Sequence, residues 1–193
     1  MQSFLFAPLA LFFACGGDLP ADTASDDSPD YRFVEDAEDG ASVVAVEPDR
    51  YLGVWYEIAT TPSFQQTSCA GTTAEYSLRD DGAIDVLNRC YLDGLDGDLN
   101  EIEGIATPTD DTFARLLVDF GFGFEAPYDI VELDGADGDE PYDFAVVSSY
   151  GLAVWILSRE PQMDAELYDL LVERARDRGL PVDELALTEQ PAE

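Results

Sequence analysis

Eight short runs of aliphatic, aromatic and β-branched residues, separated by turn-forming clusters, occupy the chain between residues 53 and 158. They lie near 53–60, 70–79, 83–91, 99–107, 112–120, 127–133, 142–148 and 152–158. The clusters between them include Asp80-Asp81-Gly82 and Gly135-Ala136-Asp137-Gly138-Asp139. Such regular spacing predicts an antiparallel meander. Alternation is clearest where Ile84, Val86 and Asn88 interleave with Asp85, Leu87 and Arg89, and again in Leu116, Val118 and Phe120. Eight strands closed on themselves leave no free edge and enclose an interior able to hold one small ligand. The predicted fold class is therefore all-β, an eight-stranded antiparallel up-and-down barrel.

One helix is expected after the last strand, packed on the outside of the barrel. Asp164 is its N-cap, Leu167, Leu170, Leu171 and Ala175 form its apolar stripe, and Gly179 then Pro181 end it. Arg174, Arg176 and Arg178 crowd the last turn, where they complement the helix dipole. Leu185 to Thr188 is a candidate short ninth strand.

The ends of the strand region carry the most specific pattern. Near its start the chain reads Arg50-Tyr51-Leu52-Gly53-Val54-Trp55-Tyr56-Glu57-Ile58-Ala59, and near its end Trp155-Ile156-Leu157-Ser158-Arg159. A Trp opening the first strand and an Arg closing the last meet at one end of a barrel. The guanidinium then lies over the indole, a contact of about 0.5–2 kcal/mol. Ala74 to Gly82 and Tyr128 to Asp134 fit between them, and together these stretches resemble the lipocalin family, close to its bacterial lipocalin and apolipoprotein D branch. The likeness runs from about residue 48 to residue 190. It implies a cup closed at the Trp55–Arg159 end, with Gly53 part of the same motif, and an open mouth that admits a small hydrophobic molecule. For the bacterial branch it implies fatty acids or lysophospholipids held near the outer membrane.

Composition limits the partners. The chain has 42 Asp and Glu against 9 basic residues, a formal charge of −33, and every basic residue is Arg. Nucleic acid is excluded because phosphates are repelled, and anionic headgroups repel the folded domain in the same way. There is no His, which removes the usual haem and zinc nitrogen ligand and the usual acid–base group near neutral pH. No metal and no cofactor is expected. Asp93 to Glu101 fails as a calcium loop, since Glu101 stands sixth from Asp96 where the turn requires Gly. A monomer or weak dimer is expected.

Phe4 to Ala14 is apolar but too short to span a bilayer, and Ala14-Cys15-Gly16-Gly17-Asp18 follows it. The segment resembles a bacterial lipoprotein export signal. That resemblance implies a signal peptide over 1–14, lipidation of Cys15 and an outer-membrane lipoprotein facing the periplasm. Gly16 at the next position, in place of Asp, is similar to lipoproteins sent to the outer membrane. Residues 15–42 read as an acidic flexible tether, because nine acids between 18 and 42 leave little apolar surface to bury. The barrel domain is then 43–193. In an exported domain, Cys69 and Cys90 form an even pair flanking the hairpin at Arg79 to Gly82, and a disulfide between them is expected. Strict alternation places Cys90 opposite Ala70, one residue away from Cys69, which a bulge at Gly71 corrects.

The candidate lining of the cup is Tyr76, Ile84, Val86, Leu116, Val118, Phe120, Tyr128, Ile130, Tyr142 and Phe144. Arg89 and Arg115 alternate outward, so no cation is expected to meet a ligand carboxylate; Tyr76, Tyr128 and Tyr142 offer neutral donors instead. The expected ligand is a neutral or zwitterionic amphiphile, or a bulky apolar one, rather than a free fatty acid. A catalytic alternative needs Cys69 or Cys90 as nucleophile with no His to activate it, and no catalytic residue is assigned. A second alternative is a surface lipoprotein that binds proteins and keeps only a filled, vestigial cup.

Overall fold

The computed structural model describes residues 30–62 and 68–192. The eight strands are β1 (Gly53–Thr60), β2 (Cys69–Leu78), β3 (Ile84–Leu92), β4 (Leu99–Pro108), β5 (Arg115–Asp119), β6 (Glu125–Leu133), β7 (Phe144–Ser149) and β8 (Ala153–Ser158). Each pairs antiparallel with the next. β1 pairs with β8 on one side and β2 on the other, which closes the barrel. One turn of helix, α1 (Pro48–Tyr51), precedes β1.

Connections alternate between two ends. The segments 79–83, 109–114 and 134–143 lie at the end where Trp55 enters β1; 93–98, 120–124 and 150–152 lie at the other. Toward that second end β1 parts from β2, and β9 (Ala186–Leu187) pairs with β1 at Ala59 and Thr60. Gln190 Nε2 donates to both Glu57 O (2.8 Å) and Thr72 O (2.9 Å), tying β1 to β2 across the gap.

Cys69 and Cys90 form the expected disulfide, with Cα atoms 5.3 Å apart. The β2–β3 register shifts between Ala70 and Thr73, where Gly71 adopts φ +59°, so a bulge does stand at Gly71. The pairing itself differs from strict alternation, with Ala70 opposite Tyr91 and Cys69 opposite Leu92, because Tyr76 pairs with Val86 and not with Ile84.

Two apolar clusters divide the core. The inner one contains Trp55, Tyr76, Val86, Leu116, Ile130, Val147 and Leu157 and fills the lower barrel. The outer one joins Ile58, Val146, Val154 and Ile156 to Leu167, Leu171 and Ala175 of α2 (Ala165–Asp177). Asp164 caps α2 by accepting from the amides of Glu166 and Leu167. Leu170 is only half-buried, so the helix contact is narrower than the stripe suggests.

Phe144 requires a correction. It belongs to the outer cluster, in contact with Tyr31 (6.3 Å between ring centroids) and Phe33 (5.3 Å), and does not line the lumen. Tyr142 does point into the inner cluster, but regular β7 pairing begins only at Phe144, and there the inward positions are Ala145 and Val147. The two-residue alternation does not carry across that start.

A second correction concerns the tether. From Tyr31 onward the acidic segment packs on the barrel as a strap, while residues 15–29 lie outside the described residues. Phe33 bridges to Asp134, Val34 N donates to Leu133 O, and Gly135 N donates to Arg32 O. A Cβ on Gly135 would sit 2.5 Å from the Phe33 backbone, so only glycine admits the strap there. Val43 and Val46 then enter the inner cluster at the closed end. Tyr31, Phe33, Val34 and Val43 supply the apolar surface that an average over the whole segment hides.

Candidate functional site

The closed end is a floor made from both ends of the barrel sequence. Arg159 stacks its guanidinium over Trp55, 3.9 Å from the ring centroid. Every arm of the fork is occupied: Nε donates to Tyr142 O, Nη1 to Val54 O, and Nη2 to the carbonyls of Arg50 and Tyr51, at 2.8–3.1 Å. Trp55 Nε1 donates to Tyr51 O at 2.8 Å. Gly53 holds φ +94°, and a Cβ there would lie 3.5 Å from Arg159 Nη1. Arg50 seals the neighbouring quadrant. It lies over the Tyr142 ring (4.0 Å) and donates to Glu140 O and Ala136 O. The Tyr142 hydroxyl accepts from Glu47 N, so this residue belongs to the floor.

On the floor rests a cluster of tyrosines. Tyr128 Oη lies 2.8 Å from Tyr51 Oη and 2.8 Å from Tyr76 Oη. Burial drives all three phenols above their ordinary value, Tyr76 to about 12. Around them Ile84, Val86, Leu116, Val118 and Ile130 are buried and close the lower lumen.

Accessibility changes halfway up. Cross-strand pairing carries the inner face from Val86 to Asn88, from Gly104 to Ile102 and Asn100, from Val118 to Phe120 and from Val147 to Trp155. Asn88, Ile102, Phe120, Ala126, Tyr128 and Trp155 are half-buried, and Asn100 is exposed. Inward side chains of a lumen packed to its rim would be as buried as those below. Gly104 makes room for one of the walls: a Cβ there would sit 2.6 Å from the Phe120 ring. Thr72 Oγ1 and Asn88 Oδ1, on the same inner faces of β2 and β3, are buried and have no hydrogen-bond partner among the described residues.

Glu57 is the unexpected member of this wall. It stands two residues after Trp55 and opposite Leu157, and it is buried. Its carboxylate accepts from Thr188 Oγ1 at 2.6 Å and helps to hold the Tyr76 phenol protonated. Strict alternation from Trp55 already places Glu57 inward; the acid residue type masked that signal.

The mouth is apolar with acidic flanks. Phe122 and Phe124 stack at 6.4 Å on a loop whose Gly121 and Gly123 take positive φ, and Tyr150 and Leu152 stand on a neighbouring loop. All four side chains are more than half exposed. Two further grooves open at the closed end, beside the Arg79–Ala83 turn and between Val34 and the Asp134–Gly138 loop; both face solvent outside the lumen. Among the described residues no cluster of carboxylates or thiols is arranged to hold a metal, and no helix is long and apolar enough to cross a membrane.

Residues 46–190 match the family model described as a lipocalin-like domain. The chain is 35% identical to the outer membrane lipoprotein Blc of Vibrio cholerae, over 75% of this chain and 82% of that protein. It is 36% identical to temperature-induced lipocalin-1 of Arabidopsis thaliana (77% and 81% covered) and 34% identical to bovine apolipoprotein D (74% and 76%). Among solved structures, the fold resembles H1 crustacyanin from the lobster Homarus americanus, with TM-score 0.59, 21% identity, and 74% and 78% of the two chains covered. It also resembles insecticyanin from the tobacco hornworm Manduca sexta, with TM-score 0.58, 17% identity, and 84% and 86% covered. A barrel sealed by Arg159 over Trp55, open at the opposite end and matched over three quarters of its length by these relatives, belongs to the lipocalin family.

Proposed function

We propose that this protein binds one small hydrophobic or amphiphilic molecule in the upper half of its barrel and carries or stores it at a bacterial outer membrane. The observation that carries this reading is the change from buried to accessible inward side chains between the tyrosine floor and the rim. Mostly apolar walls with a few polar groups are what small-molecule sites present. Exposed Phe122, Phe124 and Leu152 give a lipophile a first apolar contact outside the mouth. The relatives named outer membrane lipoprotein Blc support the location, with Cys15 as the lipidated residue after removal of 1–14. Catalysis through a thiol is disfavoured, because Cys69 and Cys90 are joined to each other.

Native mass spectrometry of the protein purified from its own host tests the carrier reading. A co-purifying lipophile at one copy per chain is expected, and the delipidated protein should rebind it with a change in Trp155 emission. A chain that carries nothing and responds to no lipophile refutes it. Replacing Cys15 by Ser tests the location separately, by moving the protein out of the membrane fraction.

A further inference from the structure

The tyrosine floor has one O–H more than it has contacts for them to fill. Tyr51, Tyr76 and Tyr128 bring three O–H groups to two contacts, and no other described group bonds their hydroxyls. However the rotors turn, one O–H is left without a partner. Tyr128 is the group touched by both others and the only half-buried one of the three. When Tyr51 and Tyr76 both donate to it, its own proton is free to point toward the lumen.

Among the described residues no cationic side chain lines the lumen for a ligand to touch. All nine basic residues of the chain are arginines, and each is engaged away from the lumen. Arg159 and Arg50 are committed beneath the floor. Arg79, Arg89 and Arg115 pair with acids on the outer surface, and Arg32 and Arg176 do so on the strap and helix. Arg174 and Arg178 hold Glu132 under α2. The inner wall instead carries the Glu57 carboxylate. An anion brought into this space loses its hydration, faces the Glu57 carboxylate, and feels the Arg159 charge only through the tyrosine floor, with no direct cationic contact.

We propose that the cup selects an uncharged lipophile with a hydroxyl, ketone or ester oxygen at one end, taken in oxygen first so that it accepts the spare tyrosine proton from Tyr128. The apolar remainder lies against Ile102, Phe120 and Trp155 toward the mouth. The assignment rests on the carrier reading and adds to it the ligand's charge, its polar group and its direction.

The test uses the delipidated full chain and a ligand series of one chain length: an alkane, the primary alcohol, the methyl ketone, and the carboxylic acid at about pH 8, where it is ionised. Emission of Trp155 reports binding. The alcohol and ketone should bind about 2- to 12-fold tighter than the alkane, the range of one net hydrogen bond, and the ionised acid more weakly than either. In Tyr128→Phe the advantage of the oxygenated ligands should fall while the alkane affinity is retained, because the two donors then freed, Tyr51 and Tyr76, are buried. Tyr51→Phe should keep the advantage, because two hydroxyls then share one contact and a donor is still spare. Equal binding of alkane, alcohol and ketone overturns the assignment and leaves the carrier reading standing, as does tightest binding by the ionised acid. An undiminished preference in Tyr128→Phe overturns the choice of donor. Failure of every member to bind the parent chain removes the carrier reading and the assignment with it.

Discussion

Arg159 shows how much one side chain does at the floor. Its fork reaches four carbonyls, two on α1, one on β1 and one just before β7, and its flat face covers the Trp55 indole. Lysine keeps the charge but has neither the planar face nor the geometry to reach all four. Arg159→Lys should therefore cost about 1–3 kcal/mol by denaturant midpoint, since the carbonyls of Tyr142 and Val54 lose this donor and the indole loses its cover, while Arg50 O and Tyr51 O keep Tyr142 N and Trp55 Nε1. The tyrosine cluster sets a pH limit. Tyr76 titrates near 12 in the folded chain against an ordinary value of 10.0, so the folded state holds protons that the unfolded state releases first. Its contribution is complete below pH 10.0 and is lost as pH rises toward about 12. Alkaline titration should show phenolate absorbance from these residues appearing together with loss of the barrel's circular dichroism. Phenolate from the cluster appearing in a still-folded barrel would contradict it.

At the scale of elements, the contact between helix and barrel depends on a bulge. The β6–β7 register shifts between Ile130 and Glu132, which turns both Val131 and Glu132 onto the outer face. Glu132 is 1% exposed there, yet Arg174 Nε reaches it at 2.7 Å and Arg178 Nε at 2.6 Å. Arg178 continues to Asp36 and Gly40 O, and Arg174 covers the Phe33 ring at 4.0 Å, so one acid joins α2, β6 and the strap. Replacing Arg174 and Arg178 together by Met leaves that carboxylate buried and unpaired. A loss of about 3–5 kcal/mol is expected in calorimetry, against about 1.5–3 kcal/mol for Arg178 alone. The strands and their turns were legible in the sequence because a two-residue period and turn chemistry are local signals; so were the Asp164 cap and the bulge at Gly71. The roles of Arg174 and Arg178 were not. Three arginines in a last turn already have a local explanation in the helix dipole, and their partner lies more than forty residues away on a strand whose phase slips. Phe144 was misplaced for a related reason, since its phase restarts at the edge of β7. In the candidate site, Tyr76 and Tyr128 stood out as aromatic donors, whereas Tyr51 lies on α1, before the period begins, and was not legible as their partner.

At the scale of the whole molecule, charge and attachment matter most. A formal charge of −33 makes the compact state repel itself, and added salt shortens the reach of that repulsion from ~10 Å at about 0.1 M to ~3 Å at about 1 M. The melting temperature should rise across that range despite weakening of the exposed pairs such as Arg32–Asp137, which contribute little; a flat or falling melting curve would contradict this. The strap has a geometric consequence of its own. Tyr31 touches down beside Asp164 and Phe144, at the sealed pole of the barrel. Docked on the base in this way, the strap leaves the opening at the far pole uncovered, so a guest can enter or depart without the strap having to let go.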